Sequence, residues 1–487
     1  MKEPSIKKNY LFNTSYQILA LIVPLITTPY VSRVLGAHGI GIYSYTFSIV
    51  SYFVLFSALG TSTYSNRNLG IIRDNINERT KFFWEIFSLR AILASISLVV
   101  YFAYVIVLAE NKLIAALQGI YLLDIMMDIT WFFQGMENFK IIAIRNYVIK
   151  LVNVIFIFTM VRDEGDLWWY VLGLAAWSLL ANTSMWIPLR KLIKRPNIKE
   201  IRPFNNISII IQLFVPTIAS QIYTMLDKSM IGWISGDPVE NGCYEQSDKI
   251  VKMSITLIIA LGTVTIPKIS RLFAQGKMDG MKRLIYRSYR FVWAMGCALM
   301  FGVIGINYML VPVFFGPGYD RVELILPILS TLFIIMGLNH TTGRQYLIST
   351  GRQKAYMYIV IIGGIINVGV NAACIPFFGA VGAAIGSVVG EIVILIVQLA
   401  YVYKIKEFEI YKIFSSSWHY IIAGVAMMIV TLFTQRLLPS NFIGLASLIV
   451  IGAVCYGVIL LLFRDEFAFM GIDIAKNSIN KIFRRKK

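Results

Sequence analysis

The chain predicts an all-α integral membrane protein. Fourteen transmembrane helices are expected as two six-helix lobes, related by a pseudo-twofold axis along the membrane normal, plus two C-terminal helices. Three observations carry this prediction. Apolar residues come in long blocks, basic residues fall between alternate blocks, and the sequence repeats itself about halfway along.

The blocks come first. Hydrophobic residues make up 57% of the 487 positions and charged residues only 15%. A spanning helix needs about 20 mostly apolar residues. Blocks of that kind occupy residues 10–31, 41–61, 82–108, 113–134, 141–161, 168–189 and 207–227, then 250–269, 291–315, 323–340, 356–376, 379–403, 418–437 and 441–463. The connections are short, leaving no room for a soluble domain. The opening "MKEPSIKKNY" has no small-residue cleavage site, so the first block reads as a retained span.

The net charge of +19 is topological. With the N-terminus inside, 36 of the 45 Lys and Arg residues fall on the cytoplasmic side, Arg145 and Lys150 being assigned to an inner connection. The opposite side holds about seven: Arg33, Lys112, Arg162, Lys228, Lys249, Arg321 and Arg436. Arg90 and Lys252 fall within spans. This is the positive-inside pattern, repeated connection after connection. It argues against nucleic acid as the reason for the charge, and both termini are expected in the cytoplasm. The tail "KIFRRKK" suits an anionic inner leaflet. Four cysteines (Cys243, Cys297, Cys374, Cys455) and three histidines (His38, His340, His419) show no metal or disulfide spacing.

The repeat is colinear. "GIYSYTFSIV" (Gly41–Val50) matches "GCYEQSDKIV" (Gly242–Val251) at the glycine, the tyrosine and the closing Ile-Val. Ala-Leu-Gly-Thr recurs at Ala58–Thr61 and Ala260–Thr263, and Val23-Pro24 is echoed by Val215-Pro216. From proline to glycine is 17 residues in the first copy and 26 in the second, so "GDPVENG" belongs to a longer outer connection. Six helices per copy keep both copies in one orientation. The expected divisions are residues 1–200, 201–412, and 413–487 with the last two helices and the basic tail. Two such lobes suggest rocking about a central site, and mid-helix prolines permit bending.

Polar residues inside the blocks are the candidate machinery. Thr217, Gln221, Thr224 and Lys228 form a stripe at helical spacing, with Ser220 and Asp227 beside it; Asn13, Gln17, Thr27 and Thr28 echo it in the first block. Such stripes line a wet cavity or bond helices to one another. Asp124 and Asp128 stand four apart, one face of a continuous helix. A carboxylate at mid-membrane costs roughly 2.5–3.5 kcal/mol on insertion scales, so two need a reason. Arg90 and Asp128 both lie some 10–12 Å in from the inner face at 1.5 Å per residue, and antiparallel neighbours would let them pair. Asp124, one turn deeper without an evident mate, is the candidate for protonation or cation coupling. Glu391 has Ser387 and Gln398 on its face, and Asn367 and Asn371 are again four apart. Asp248, Lys249 and Lys252 open one helix near the outer side, and Arg33 closes another. These cations can hold a phosphate by charge-assisted hydrogen bonds, or, as Arg33 and Arg436 suggest, simply snorkel. The amphipathic "MDGMKRLIYRSYRF" (Met278–Phe291) is expected along the inner surface, and Trp168 and Trp169 at the outer interface. No phosphate loop, nucleophile elbow or metal-ligand cluster is present, and no cofactor is expected.

Four stretches are similar to the bacterial oligosaccharide flippase family, of the superfamily that also holds the multidrug and toxin extruders and the lipid II flippases. They are "TTPYVSRVLGAHGIGIYSY" (Thr27–Tyr45), "DITWFFQGMENFKIIAIRN" (Asp128–Asn146), "DKSMIG" with "GCYEQSDKI", and "NVGVNAACIPFFGAVGAAIGSVVGE" (Asn367–Glu391). In the second, Asp128, Trp131, Gln134, Gly135, Glu137, Phe139 and Arg145 match the family pattern. The resemblance implies a protein of the bacterial plasma membrane that moves undecaprenyl-diphosphate-linked oligosaccharide from inner to outer leaflet for surface or capsular polysaccharide. Partner assembly proteins and coupling to a proton or sodium gradient belong to the same expectation. The alternatives are a drug/cation antiporter or a lipid II flippase of the same superfamily. A membrane polymerase or ligase would need a sizeable outer loop with catalytic residues, and the longest expected outer segment is about 22 residues, Lys228–Lys249.

Overall fold

The computed structural model describes residues 6–195, 197–415 and 417–470. Side chains are described within these, except at 6–18, 20, 21, 198, 213, 215–220, 222–224 and 263. The regular elements of the described residues are all helices, with no strand. Twelve of their segments are long and apolar enough to cross a membrane. One, Ile22–Ile72, has 51 residues. At 1.5 Å per residue that is about 77 Å, more than twice the ~30 Å core. The helix holding block 207–227, whose middle side chains lie outside the described set, is not among the twelve. Fourteen remains the count of the sequence, and the all-helical membrane class is observed.

By internal contacts the chain forms two compact units, Met1–Gly242 and Cys243–Lys487. The first contains α1 (Ile6–Ala58), α2 (Thr61–Ile72), α3 (Ile76–Val107), α4 (Lys112–Gln118), α5 (Ile120–Met127), α6 (Thr130–Gly135), α7 (Phe139–Met160), α8 (Leu167–Ser184), α9 (Trp186–Leu189), α10 (Ile207–Ser235) and the start of α11 (Pro238–Ala274). α1 is two helices joined at Gly36, whose φ of 64° and ψ of 174° suit glycine alone. Its core is aromatic: Phe83 stacks on Trp131 with centroids 5.6 Å apart and meets Phe132 edge-on. That packing fixes the "TWFFQG" turn of α6 beneath α3.

Where the sequence gives a longer outer connection, the structure continues the helices. α10 runs to Ser235 and α11 starts at Pro238, leaving Gly236 and Asp237 as the joint. Proline suits a first helical position, and the Asp237 carboxylate accepts from the Val239 N–H at 2.8 Å. The 22-residue outer segment expected at 228–249 is therefore helix, with a two-residue corner. Gly41 and Gly242, the matched glycines of the repeat, both sit at a close crossing. A Cβ on Gly41 would lie 1.7 Å from the Pro238 carbonyl oxygen, and one on Gly242 2.0 Å from that of Ala37. Each glycine thus meets the residue four before its counterpart, a reciprocal contact of the kind a local twofold produces.

The second unit holds the rest of α11, then α12 (Met278–Phe314), α13 (Val322–Ser330), α14 (Leu332–His340) with a π-helical turn at Thr341–Ile348, α15 (Gln353–Phe378), α16 (Ala380–Ile405), α17 (Ile410–Phe414), α18 (Trp418–Thr434) and α19 (Phe442–Leu462). α15 and α16 pack tightly because Gly382, Gly386 and Gly390 bring α16 onto the backbone of Cys374 and the side chains of Asn371 and Asn367. The segment expected to lie along the inner surface is instead the collinear start of α12, with Met281, Ile285 and Tyr289 buried. No glycine or proline stands between Met281 and Met295 to bend it away. α18 and α19 are fastened to α12 at Asp465. Its carboxylate accepts from Tyr420 at 2.6 Å, pairs with Arg290 at 2.7 Å and faces His419 at 3.2 Å.

Candidate functional site

The polar machinery of the first unit lies between α3, α5, α7 and α8. Asp128 is not on the helical face it was expected to share with Asp124. α5 stops at Met127 and Asp128 is extended (φ −69°, ψ 109°), so the expected helix is interrupted. The cause is local: the Asp128 carboxylate accepts from the Thr130 N–H two residues on, at 2.9 Å, which competes with helix continuation. Its freed carbonyl accepts from Arg90 Nη1 at 2.6 Å, and its carboxylate is 3.4 Å from the same nitrogen. Arg90 is 2% exposed and Asp128 19%. The guanidinium therefore binds both the broken backbone and the carboxylate at the break.

Asp124, expected without a mate, has two. Ser178 donates to it at 2.7 Å and Asn182 at 2.6 Å, both from α8. The Asn182 carbonyl in turn accepts from Arg145 at 2.6 Å, and Arg145 also donates to Thr130 and Asn146. Arg145 was counted with an inner connection, yet it sits in α7 and links three helices. The signal was available, since an arginine inside the 141–161 block is an intramembrane charge. Two aspartates and two arginines thus balance within one network.

The remaining candidates are dispersed. Arg33 is exposed near the end of the first half of α1, and Gln221 is exposed on α10. The side chain of Thr217 lies outside the described residues. Asp227 is buried and Lys228 half-buried on α10, with Asn241 donating to the Lys228 carbonyl at 2.9 Å. In the second unit Asp248 and Lys252 form an i,i+4 ion pair at 2.7 Å on α11, beside half-buried Lys249. Elsewhere in that unit Glu391 is buried, and Asn339 donates to its carboxylate at 2.6 Å. Asn367 and Asn371 are fully buried on α15, where Asn371 donates to Asn367 at 3.4 Å. Asn339 was not anticipated; nothing in its own segment distinguishes it from a helix-packing amide. Among the described residues no group of three His, Cys, Asp or Glu could hold a metal.

A membrane-spanning helical protein with charge networks inside its spans has the build of a transporter. Comparison with known proteins agrees. A family profile described as "Polysaccharide biosynthesis protein" matches residues 6–273, more than half of the chain, and one described as MatE matches residues 213–373. The chain belongs to the oligosaccharide flippase family of the multidrug/oligosaccharidyl-lipid/polysaccharide exporter superfamily. It is 22% identical over 415 residues to a protein of Escherichia coli (strain K12) named "Putative O-antigen transporter", covering 82% of this chain and 97% of that one. A protein of the same name from Shigella dysenteriae is 24% identical over 406 residues, 81% and 99% of the two chains. Among solved structures, the lipid II flippase MurJ in an inward closed conformation matches with a TM-score of 0.72 at 15% identity, over 94% of this chain and 99% of that one. An inward-facing multidrug MATE transporter matches with a TM-score of 0.55 at 15% identity, over 81% and 98%. At such identities the likeness is one of fold.

Proposed function

We propose that this protein moves an undecaprenyl-diphosphate-linked oligosaccharide repeat unit from the inner to the outer leaflet of a bacterial plasma membrane, supplying surface or capsular polysaccharide assembly. The observation that carries this reading is the match to a relative named as an O-antigen transporter over 97% of that relative's length. The geometry supports the mechanism. Within the first unit Arg90 pairs with Asp128 and Arg145 is joined to Asp124 through Asn182, so this network moves as a block. Two six-helix lobes, residues 1–200 and 201–412, then rock about a central cavity, with residues 413–487 alongside. The basic connections are the support for assigning both termini to the cytoplasm. Arg33, Lys228, Lys249 and Lys252 are the cations assigned to the diphosphate, and Gln221 and Thr217 are assigned as neutral polar contacts. Asp124 is assigned to the coupling proton or sodium ion, because a carboxylate held by neutral donors can exchange its charge without breaking an ion pair.

Deleting the gene and profiling extracted lipids by mass spectrometry tests the proposal. Accumulated undecaprenyl-diphosphate oligosaccharide with loss of surface polysaccharide is the expected result, and its masses identify the sugars. A second reading, drug/cation antiport, is favoured by the MatE match. Unchanged lipids together with altered drug tolerance would select it.

A further inference from the structure

We propose that a groove between α12 and α18, at the end remote from the basic inner connections, holds an anionic phospholipid by its phosphate. The groove has a volume of about 580 Å³, within the range of small-molecule sites. Its floor is apolar: Met309 of α12, and Ile429, Leu432 and Phe433 of α18, with Tyr308 at one wall. Its rim is polar, with Arg436 and Ser440 in the turn leading to α19. Among the described residues the guanidinium of Arg436 has no ion pair and no hydrogen-bond partner, and the Ser440 hydroxyl has none either.

An apolar trough ending in an unmatched cation selects an amphipathic anion. Acyl chain lies along Leu432 and Phe433 while the phosphate accepts from Arg436, a charge-assisted contact that Ser440 extends. This side of the chain carries few basic residues, so the partnerless arginine is not explained by the topology signal that accounts for most of the others. Its placement in the outer leaflet rests on the orientation proposed above; binding itself does not.

Native mass spectrometry of the purified protein, titrated with phosphatidylglycerol and separately with phosphatidylethanolamine, tests the site. Wild type is expected to gain one phosphatidylglycerol in preference to phosphatidylethanolamine. Arg436→Gln should weaken that binding about fivefold, as expected for one cation near a phosphate surface. Leu432→Trp, which fills the trough and keeps the charge, should abolish it, while Arg436→Gln is exposed and leaves folding intact by melting temperature. Equal binding of the two lipids, or an unaffected Arg436→Gln variant, would overturn the proposal. So would displacement by a short-chain prenyl diphosphate, marking a site for transported lipid, or a second protein copy occupying the groove. Because the readout is binding in detergent, its failure is separable from failure of the flippase reading.

Discussion

Replacing Arg90 by methionine removes a guanidinium that is 2% exposed and preserves most of its volume. The variant loses the 2.6 Å bond to the Asp128 carbonyl and the 3.4 Å contact to its carboxylate, and strands both acceptors. Breaking a buried pair by deleting one member costs about 3–5 kcal/mol. Asp128 is 19% exposed and still accepts from the Thr130 N–H, so Arg90→Met should fall at the lower end, about 3 kcal/mol. Asp128→Asn leaves the carbonyl bond in place but encloses an uncompensated cation, and about 4 kcal/mol is expected. In the double variant neither charge is stranded. Its cost should be about 4 kcal/mol instead of the additive ~7, a coupling of about 3 kcal/mol, at the upper end for contacting residues. Equilibrium unfolding in mixed micelles, followed by the fluorescence of tryptophans such as Trp131 against Phe83, reads all three variants. Additivity within about 0.5 kcal/mol would show that the two residues do not act as a pair.

Asp124→Asn should lower export and flatten its dependence on pH or sodium, measured as flipping rate in vesicles with imposed gradients; an unaltered rate and response would assign coupling elsewhere. Gly41→Ala places a methyl 1.7 Å from a backbone oxygen that cannot rotate away, and overpacking of this kind costs about 1–3 kcal/mol. A lower melting temperature in detergent is expected, and an unchanged one would contradict the crossing. For Glu407, two residues beyond the end of α16, burial raises the carboxyl pKa, but hydrogen bonds from Arg352 and Tyr346 outweigh it and hold it below the usual value. Burial likewise raises Asp465, and Tyr420, Arg290 and the Phe467 N–H outweigh it. A depressed carboxylate stabilises the fold above its unfolded pKa, about 4, and that contribution disappears as pH falls through the folded value. Melting temperature should therefore hold above about pH 5 and drop in acid, with a smaller drop in Glu407→Gln and Asp465→Asn. Equal acid sensitivity in wild type and both variants would remove these pairs from the account.

The membrane class and the meeting of Arg90 with Asp128 were readable because they depend on composition and on depth along a helix. The break at Asp128 was not, because an aspartate that caps Thr130 looks in sequence like one more residue of an apolar run. The partners of Asp124 were hidden for a different reason: Ser178 and Asn182 come from α8, more than fifty residues away, and only the packing of α5 on α8 selects them. Arg145 was a visible charge assigned to the wrong side of a helix boundary, an error of a few residues that moved it from loop to network. The corner at Gly236–Asp237 shows the opposite failure. Polar residues suggested a loop, yet Pro238 at a helix start and Gly242 at a close crossing make the same segment helical.

Reconstitution tests transport of a lipid-linked oligosaccharide most directly. Purified protein would be placed in liposomes loaded with undecaprenyl-diphosphate oligosaccharide, and the fraction of headgroup exposed on each face followed with a membrane-impermeant glycosidase. Rapid equilibration between leaflets that depends on the protein and slows in Arg90→Met is expected. Redistribution no faster than in empty liposomes, across imposed proton and sodium gradients of either sign, would contradict it.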